Sequence, residues 1–156
     1  EDQLETLHLN QAIACETTPC AMVEDRVSVS DVTSATLATI LGTSRPDGTA
    51  VVIGDVLDCR RRSVAHANGR LFSASGDSLE RAETYYFEAE FPVRRRLQPW
   101  SSPDGLVGII NVSTSALVEI RAYGLIEGEE TLLSAATVRP KADAVVITDL
   151  DALGPE

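Results

Sequence analysis

The chain reads Tyr85-Tyr86-Phe87-Glu88-Ala89-Glu90-Phe91-Pro92-Val93 near its middle, and no other stretch alternates between apolar and polar residues as cleanly. Successive side chains of a β-strand point to opposite faces of a sheet. One face is therefore expected to carry Tyr85, Phe87, Ala89, Phe91 and Val93, and the other Glu88 and Glu90. Pro92 cannot donate to a sheet ladder, which predicts that this end of the strand lies at an edge or a bulge.

Turn signals separate this stretch from other runs rich in Val, Ile, Leu and Thr. They are Arg45-Pro46-Asp47-Gly48, Ala67-Asn68-Gly69 and Ser102-Pro103-Asp104-Gly105. Proline presets φ for the first turn position, and Gly or Asn accepts the positive φ that closes a tight hairpin. Further strands are predicted at residues 27–32, 34–41, 50–53, 64–66, 71–72, 106–113, 116–123 and 145–147. About eight to ten short strands at this spacing predict a mainly β fold, a single-domain antiparallel β-sandwich or barrel that is jelly-roll-like.

Helical patterns are few. Apolar residues recur at helical spacing within residues 1–14, which predicts a short N-terminal helix or an arm. Asp77 and Glu80 fit a capping box, so one short helix is predicted near residues 78–84. Residues 128–136 fit either a short helix or another strand. The expected organisation is an N-terminal arm or helix at residues 1–25, a β domain at 26–150 and a polar tail at 151–156.

The chain of 156 residues is strongly acidic, with a formal net charge of −11. A polyanion is bound through clustered Lys and Arg, so this charge argues against nucleic acid as a partner. No apolar run approaches the roughly 18 residues that a membrane-spanning helix needs. These features predict a soluble protein without membrane insertion.

Cysteine usage leaves the compartment open. The three cysteines fit either three reduced thiols or a Cys15–Cys20 disulfide with Cys59 unpaired. A virion or another extracellular assembly is one location compatible with the sequence.

No residue pattern points to catalysis, a metal ion or a cofactor. His8 and His66 have no partners at metal-ligand spacing, and no serine lies in a strand–helix elbow. Glu88 and Glu90 fit a solvated outer face better than a carboxylate pair for acid–base chemistry. The sequence therefore predicts neither a catalytic residue nor a cofactor.

Arginine usage is the sharpest local feature. Lys141 is the single lysine, and the other twelve cationic residues are arginines. Two triplets follow predicted strands and so lie near sheet ends: Arg60-Arg61-Arg62 and Arg94-Arg95-Arg96. A guanidinium is a planar fork that suits the acidic side chains of a neighbouring protein. The alternative is that both triplets pair with carboxylates of the same molecule.

Trp100 follows the second triplet on a loop. Interfaces favour Trp, Tyr and Arg together, whereas a buried tryptophan would only close one end of the sandwich. The interface candidates are therefore Arg60, Arg61, Arg62, Arg94, Arg95, Arg96 and Trp100.

Four segments, spread over about half of the chain, occur in an order that can be compared with that of a known protein family. They are Leu37-Ala38-Thr39, Arg45-Pro46-Asp47-Gly48-Thr49, Gly69-Arg70-Leu71-Phe72-Ser73 and Val118-Glu119-Ile120-Arg121-Ala122-Tyr123-Gly124. This order resembles that of the pyridoxamine-phosphate-oxidase-like split barrels. The resemblance implies flavin mononucleotide bound between the subunits of a dimer, with a basic residue after the second hairpin on its phosphate. Arg81 lies nearest that place, beside the acidic Asp77 and Glu80, and Arg45 and Arg70 are further candidates.

The expected function is that of a non-enzymatic structural subunit, a β-sandwich that packs into a larger protein assembly such as a virion or a filament. Its partners would be protein neighbours, in the first place copies of itself. One alternative is a split-barrel flavin-binding protein. Another is a carbohydrate- or surface-binding module that uses Trp100 with Tyr85 or Tyr86.

Overall fold

A computed structural model describes residues 5–9, 31–79, 82–88 and 91–153 of the chain. These residues form one helix and nine strands. The elements are β1 (Thr6–Leu9), α1 (Asp31–Ile40), β2 (Ala50–Val56), β3 (Asn68–Ser73), β4 (Glu83–Glu88), β5 (Phe91–Arg94), β6 (Leu106–Val112), β7 (Val118–Ile126), β8 (Glu129–Val138) and β9 (Val145–Leu150).

The strands form two sheets that pack against each other. The larger sheet has six strands in the order β1-β9-β2-β6-β4-β5, and the smaller has three in the order β3-β7-β8. The core between them contains Val118, Ile120 and Ala122, which alternate along β7. The prediction of a mainly β fold of the sandwich type is confirmed.

The turn signals predicted antiparallel pairing throughout, but the pairing is mixed. β9 runs parallel to both of its neighbours, β1 and β2. Parallel neighbours need a long crossover, and the chain passes through β7 and β8 of the smaller sheet before it returns as β9. Because hairpin turns specify only sequential pairs, this crossover has no turn signal in the sequence.

The helix α1 covers the outer face of the larger sheet. Ala38 and Leu41 join a buried cluster with Val51, Tyr85, Ile110 and Val145, whose strand neighbours Val52, Tyr86, Ile109 and Val146 face the core between the sheets. Strands β2 and β6 are thus covered on both faces, which explains their continuous apolar runs. No helix within the described residues is long and apolar enough to cross a membrane.

Residues 34–41, predicted as a strand, form most of α1 instead. Ala38 and Leu41 are both buried and lie one turn apart, a spacing that fits one face of a helix. Gly42 follows the helix with a φ of 55°, and the amide of Thr43 donates to the carbonyl of Ala38 at 2.9 Å, as in a Schellman motif. Propensity left this segment open, because it combines β-branched residues with the helix formers alanine and leucine, and packing against the sheet decided for the helix.

Two helix predictions are wrong where the structure describes them. Residues 6–9 form β1 beside β9. The predicted capping box starts no helix in the described residues, since Ser78 bridges to Phe72 and Glu83 begins β4. In both segments neighbouring strands supply the backbone partners, which outweighs weak helical spacing. Residues 10–30, with Cys15, Cys20 and most of the predicted arm, lie outside the described residues.

The alternating stretch at residues 85–93 forms two strands, β4 and β5, rather than one. They pair so that Tyr85 lies opposite Arg94. Tyr85 and Tyr86 are both buried because the sheet is covered on both faces. The prediction from Pro92 is confirmed, since β5 is an edge strand.

Two of the three predicted turns are present, closed by Gly48 and Gly105 with φ values of 77° and 72°. Asn68-Gly69 instead begins β3, and the positive φ of this connection, 62°, belongs to His66. Glu127 and Gly128 connect β7 to β8 with φ values of 54° and 88°. The strand alternative for residues 128–136 is therefore the one observed.

Candidate functional site

Carboxylates of the same molecule hold most of the first arginine triplet, which lies between β2 and β3. Arg61 pairs with Asp149 of β9, and Arg62 pairs with Asp58 at 2.7 Å. Hydrogen bonds from the Arg62 backbone and side chain lower the pKa of Asp58 to about 2. The Arg60 amide donates to Asp58 at 2.8 Å, but its side chain is the one in this triplet that forms no ion pair with a described carboxylate.

Asp55 of β2 lies close to the Arg61–Asp149 pair. Burial, and next the charge of Asp149, raise the pKa of Asp55 from 3.8 to about 6. A hydrogen bond from Ser63 and the charge of Arg61 act in the opposite direction. In the described part of the chain, no group of three or more His, Cys, Asp or Glu residues could hold a metal ion.

Replacing Asp55 with asparagine should stabilise the protein at pH 7–8. The pKa of Asp55 is higher in the folded state than in the unfolded state, so its contribution to stability is complete below pH 4 and is lost as pH rises through 6. The asparagine side chain would carry no charge at any pH. Because Asp55 is only half-buried, we expect a gain of about 1 kcal/mol in the free energy of unfolding at pH 8.

Urea denaturation at pH 4, 6 and 8 measures this difference. The gain should disappear at pH 4, where Asp55 is protonated in the native protein. Asp47→Asn, on an exposed turn, is the matched control and should show no such trend. A difference between Asp55→Asn and the native protein that is equal at all three pH values would contradict the prediction.

The second arginine triplet lines a cleft of about 500 Å³ beside the edge strand β5. The cleft lies between the end of α1, strand β4 and the loop that follows β5. Its lining residues are Leu41, Glu83, Thr84, Tyr85, Arg94, Arg95, Arg96 and Pro99. This cleft is the candidate functional site, because arginine side chains and apolar atoms line it together at an open edge of the sheet.

Arg94 is positioned by the end of α1. Its guanidinium lies against Gly42, where a Cβ atom would overlap it. The negative end of the helix dipole favours a cation at this place. On the same side of the cleft, Thr43 donates to Glu83 at 3.0 Å.

The loop after β5 is held firmly to β4 and to the β2–β3 connection. The amides of Leu97 and Gln98 both donate to the carbonyl of Arg94, at 2.8 and 3.1 Å. The Gln98 side chain donates to the carbonyl of Phe87 at 3.2 Å. Ser101 is fully buried; its hydroxyl donates to the carbonyl of Val64 at 2.9 Å and accepts from a backbone amide of the same connection. The loop is therefore anchored at both ends.

Large apolar side chains surround the arginines on this surface. Phe91, Leu97 and Trp100 are 70%, 73% and 49% exposed, and the Trp100 ring meets His66 edge-on at 6.0 Å. We call Phe91, Arg94, Arg95, Arg96, Leu97 and Trp100 the β5 surface. Within the described residues, none of its arginines pairs with a carboxylate.

The residues named for flavin binding are engaged elsewhere. Arg45 lies 3.8 Å from Asp143 and donates to a backbone carbonyl. Arg70 pairs with Glu130 and lies over the ring of Tyr123. Arg81 lies outside the described residues.

The sugar-binding alternative needs aromatic rings that share an exposed platform with Trp100. Tyr85 and Tyr86 are buried, and the Tyr86 hydroxyl accepts from the amide of Gly69 at 3.1 Å. They therefore cannot extend a stacking surface from Trp100.

Sequence reasoning missed the apolar part of the β5 surface and the exposed end of the β7–β8 hairpin. Phe91 belonged to the predicted apolar face of the alternating stretch, and no pattern singled out Leu97. Gly128 supplied part of the signal for the hairpin, because glycine tolerates a positive φ, whereas the positive φ of Glu127 has no signal in its residue type. The exposure of Leu125, at 77%, had no signal because it follows from where β3 begins.

The candidate site is thus an edge strand, an anchored loop, three arginines and three exposed apolar side chains. These features are the ones found together at protein interfaces. No protein-family model, no curated protein and no solved structure matches this chain.

Proposed function

We propose that this protein is a non-enzymatic subunit that associates with copies of itself through the β5 surface. The observation that carries the proposal is that Arg94, Arg95 and Arg96 have no carboxylate partner among the described residues, although the chain has 24 acidic residues. In the first triplet, Arg61 and Arg62 pair with carboxylates of the same molecule. The second triplet has no such partner among the described residues, which favours pairing with the acidic surface of a neighbour.

The chemistry of the β5 surface supports a protein partner. Arginine and aromatic residues are enriched at interfaces and concentrate their binding energy. A basic cluster on a chain of net charge −11 attracts the acidic face of another copy and sets its orientation. Exposed Phe91, Leu97 and Trp100 supply apolar area that association would remove from water.

The rigidity of the site supports the same proposal. The Gln98 and Ser101 hydrogen bonds hold the loop before any partner arrives. Ordering a loop on binding costs free energy, and a surface that is already ordered avoids part of that cost.

An open edge strand is itself a place where further strands or chains can add. Within this proposal, the larger structure is an assembly of the kind found in virions or filaments, and the protein would be located there. β5 has only four residues and contains Pro92, so side-chain contacts rather than strand addition would direct the association.

The test is the mass of the full chain in solution across a concentration series at low salt, measured by size-exclusion chromatography with light scattering. We expect the native protein to exceed the monomer mass and Arg95→Glu/Arg96→Glu to elute as a monomer. The matched control is Arg60→Glu/Arg139→Glu, which makes the same change of net charge at two exposed arginines elsewhere.

Circular dichroism confirms that both double variants are folded. A control that keeps the native mass supports the proposal. A native protein that stays monomeric at the highest concentration would overturn it, and so would an equal loss of mass in the control.

A further inference from the structure

A second exposed apolar surface lies at the end of the β7–β8 hairpin. We define the hairpin tip as residues 124–131. Leu125 and Ile126 are 77% and 52% exposed, and they flank the turn formed by Glu127 and Gly128. Leu132, on the adjoining part of β8, is 37% exposed.

The hairpin tip projects beyond the smaller sheet. β3 begins at Asn68, which lies opposite Tyr123, so among the described strands β7 pairs only with β8 from Gly124 onward. At about 3.3 Å per residue, Glu127 lies about 13 Å further along the strand than Tyr123. The apolar side chains of the tip therefore lie beyond the part of β7 that pairs with β3.

The tip carries acidic residues, two of which form no ion pair within the described part of the chain. Glu130 pairs with Arg70, whereas Glu127 and Glu129 form no ion pair with a described residue. The β5 surface has the opposite pattern of charge around similar apolar side chains. The two surfaces are therefore complementary in charge and alike in hydrophobicity.

We propose that the hairpin tip of one copy docks in the cleft of the β5 surface of a second copy. This inference rests on the proposed function, for which it names the surface of the partner. Glu127 and Glu129 would pair with Arg95 and Arg96, and Ile126, which lies opposite Glu129 in the hairpin, would contact the exposed apolar side chains. The cleft has a volume of about 500 Å³, which is within the size range of pockets that hold a small ligand.

The location of the two surfaces allows mutual exchange. Arg95 donates to the side chain of Asn68 at 3.3 Å, and Asn68 donates to the carbonyl of Pro99 at 3.0 Å. Because Asn68 also lies opposite Tyr123, the β5 surface and the base of the hairpin tip share one end of the sandwich. Two copies can then exchange tips about a twofold axis, and a closed pair of this kind is the commonest symmetric unit.

The test is a charge-swap experiment with two double variants of the full chain. Arg95→Glu/Arg96→Glu makes the β5 surface acidic, and Glu127→Arg/Glu129→Arg makes the hairpin tip basic. Each variant alone should lose self-association, with a dissociation constant about 100-fold higher or more. An equimolar mixture should regain it as a one-to-one heterodimer, because each acidic surface then meets a basic one.

Native mass spectrometry identifies the heterodimer, since the two variants differ in mass. A mixture that stays monomeric while both variants are folded would overturn the inference. A tip variant that associates as well as the native protein would also overturn it, because another surface of the copy would then occupy the cleft.

These failures are distinguishable from failure of the proposed function. If Arg95→Glu/Arg96→Glu abolishes association and the tip variant does not, the β5 surface remains the interface and only its counterpart is wrong. If neither the native protein nor the mixture associates, both proposals fail.

Discussion

Replacing Gly108 with alanine should lower the free energy of unfolding by about 3 kcal/mol, because the new methyl group has no space. Gly108 lies in β6 opposite Tyr85 of β4. A Cβ atom on Gly108 would overlap the ring of Tyr85. The ring is fully buried under α1, so it cannot turn away without displacing the cluster around Leu41. In an open strand the same change would be favourable, since glycine costs backbone entropy.

Urea denaturation of the variant measures this loss. The matched control is Gly124→Ala, also a strand glycine, whose Cβ would meet only the flexible end of Leu133 at 2.8 Å. That control should cost less than about 1 kcal/mol. Adding Tyr85→Leu to Gly108→Ala should recover part of the stability, because a leucine can bend away from the methyl group. A Gly108→Ala protein as stable as the Gly124→Ala control would contradict the packing argument.

The parts of the fold that sequence reasoning predicted are those specified by local chemistry. The runs at residues 50–53, 106–113 and 145–147 are strands β2, β6 and β9. Pro92 predicted an edge because a missing amide hydrogen is a property of one residue. Gly48 and Gly105 closed their predicted turns because the tolerance of a positive φ is also a property of one residue.

The parts that were missed depend on contacts between distant segments. Residues 34–41 become helical where they cover the outer face of the larger sheet. The parallel position of β9 depends on a crossover through the other sheet. Neither contact leaves a local pattern in the sequence.

The candidate site shows the same division. The two arginine triplets are identical as sequence, and both were predicted to lie near sheet ends. The structure separates them because Arg61 meets Asp149, which is 88 residues away, whereas Arg94, Arg95 and Arg96 meet no described carboxylate. Only the fold could distinguish the triplet that pairs within the molecule from the one that meets no described carboxylate.

Replacing Arg61 with methionine should destabilise the protein by about 2 kcal/mol at pH 8. Arg61 pairs with Asp149, whose side chain is 10% exposed, and with Asp151 at 2.7 Å. Loss of one partner leaves a buried carboxylate without compensation, which costs about 3–5 kcal/mol in a fully buried pair. We expect less here because Arg61 is 45% exposed and water screens the remaining charge.

The pH dependence and a neighbouring control make this prediction specific. Without Arg61, Asp55 loses a cation that lowers its pKa, so its folded-state pKa rises further above its unfolded value. The stability that protonated Asp55 contributes is then lost as pH rises. The difference in the free energy of unfolding between Arg61→Met and the native protein should therefore grow from pH 4 to pH 8. Arg60→Met, one residue earlier, replaces a side chain that forms no ion pair with a described residue and keeps the backbone bond to Asp58, so it should change the free energy of unfolding by less than about 0.5 kcal/mol. Adding Asp149→Asn to Arg61→Met removes the orphaned charge and should restore part of the stability. If Arg60→Met and Arg61→Met cost the same, the first triplet would be an ordinary solvated surface and the contrast between the triplets would lose its physical basis.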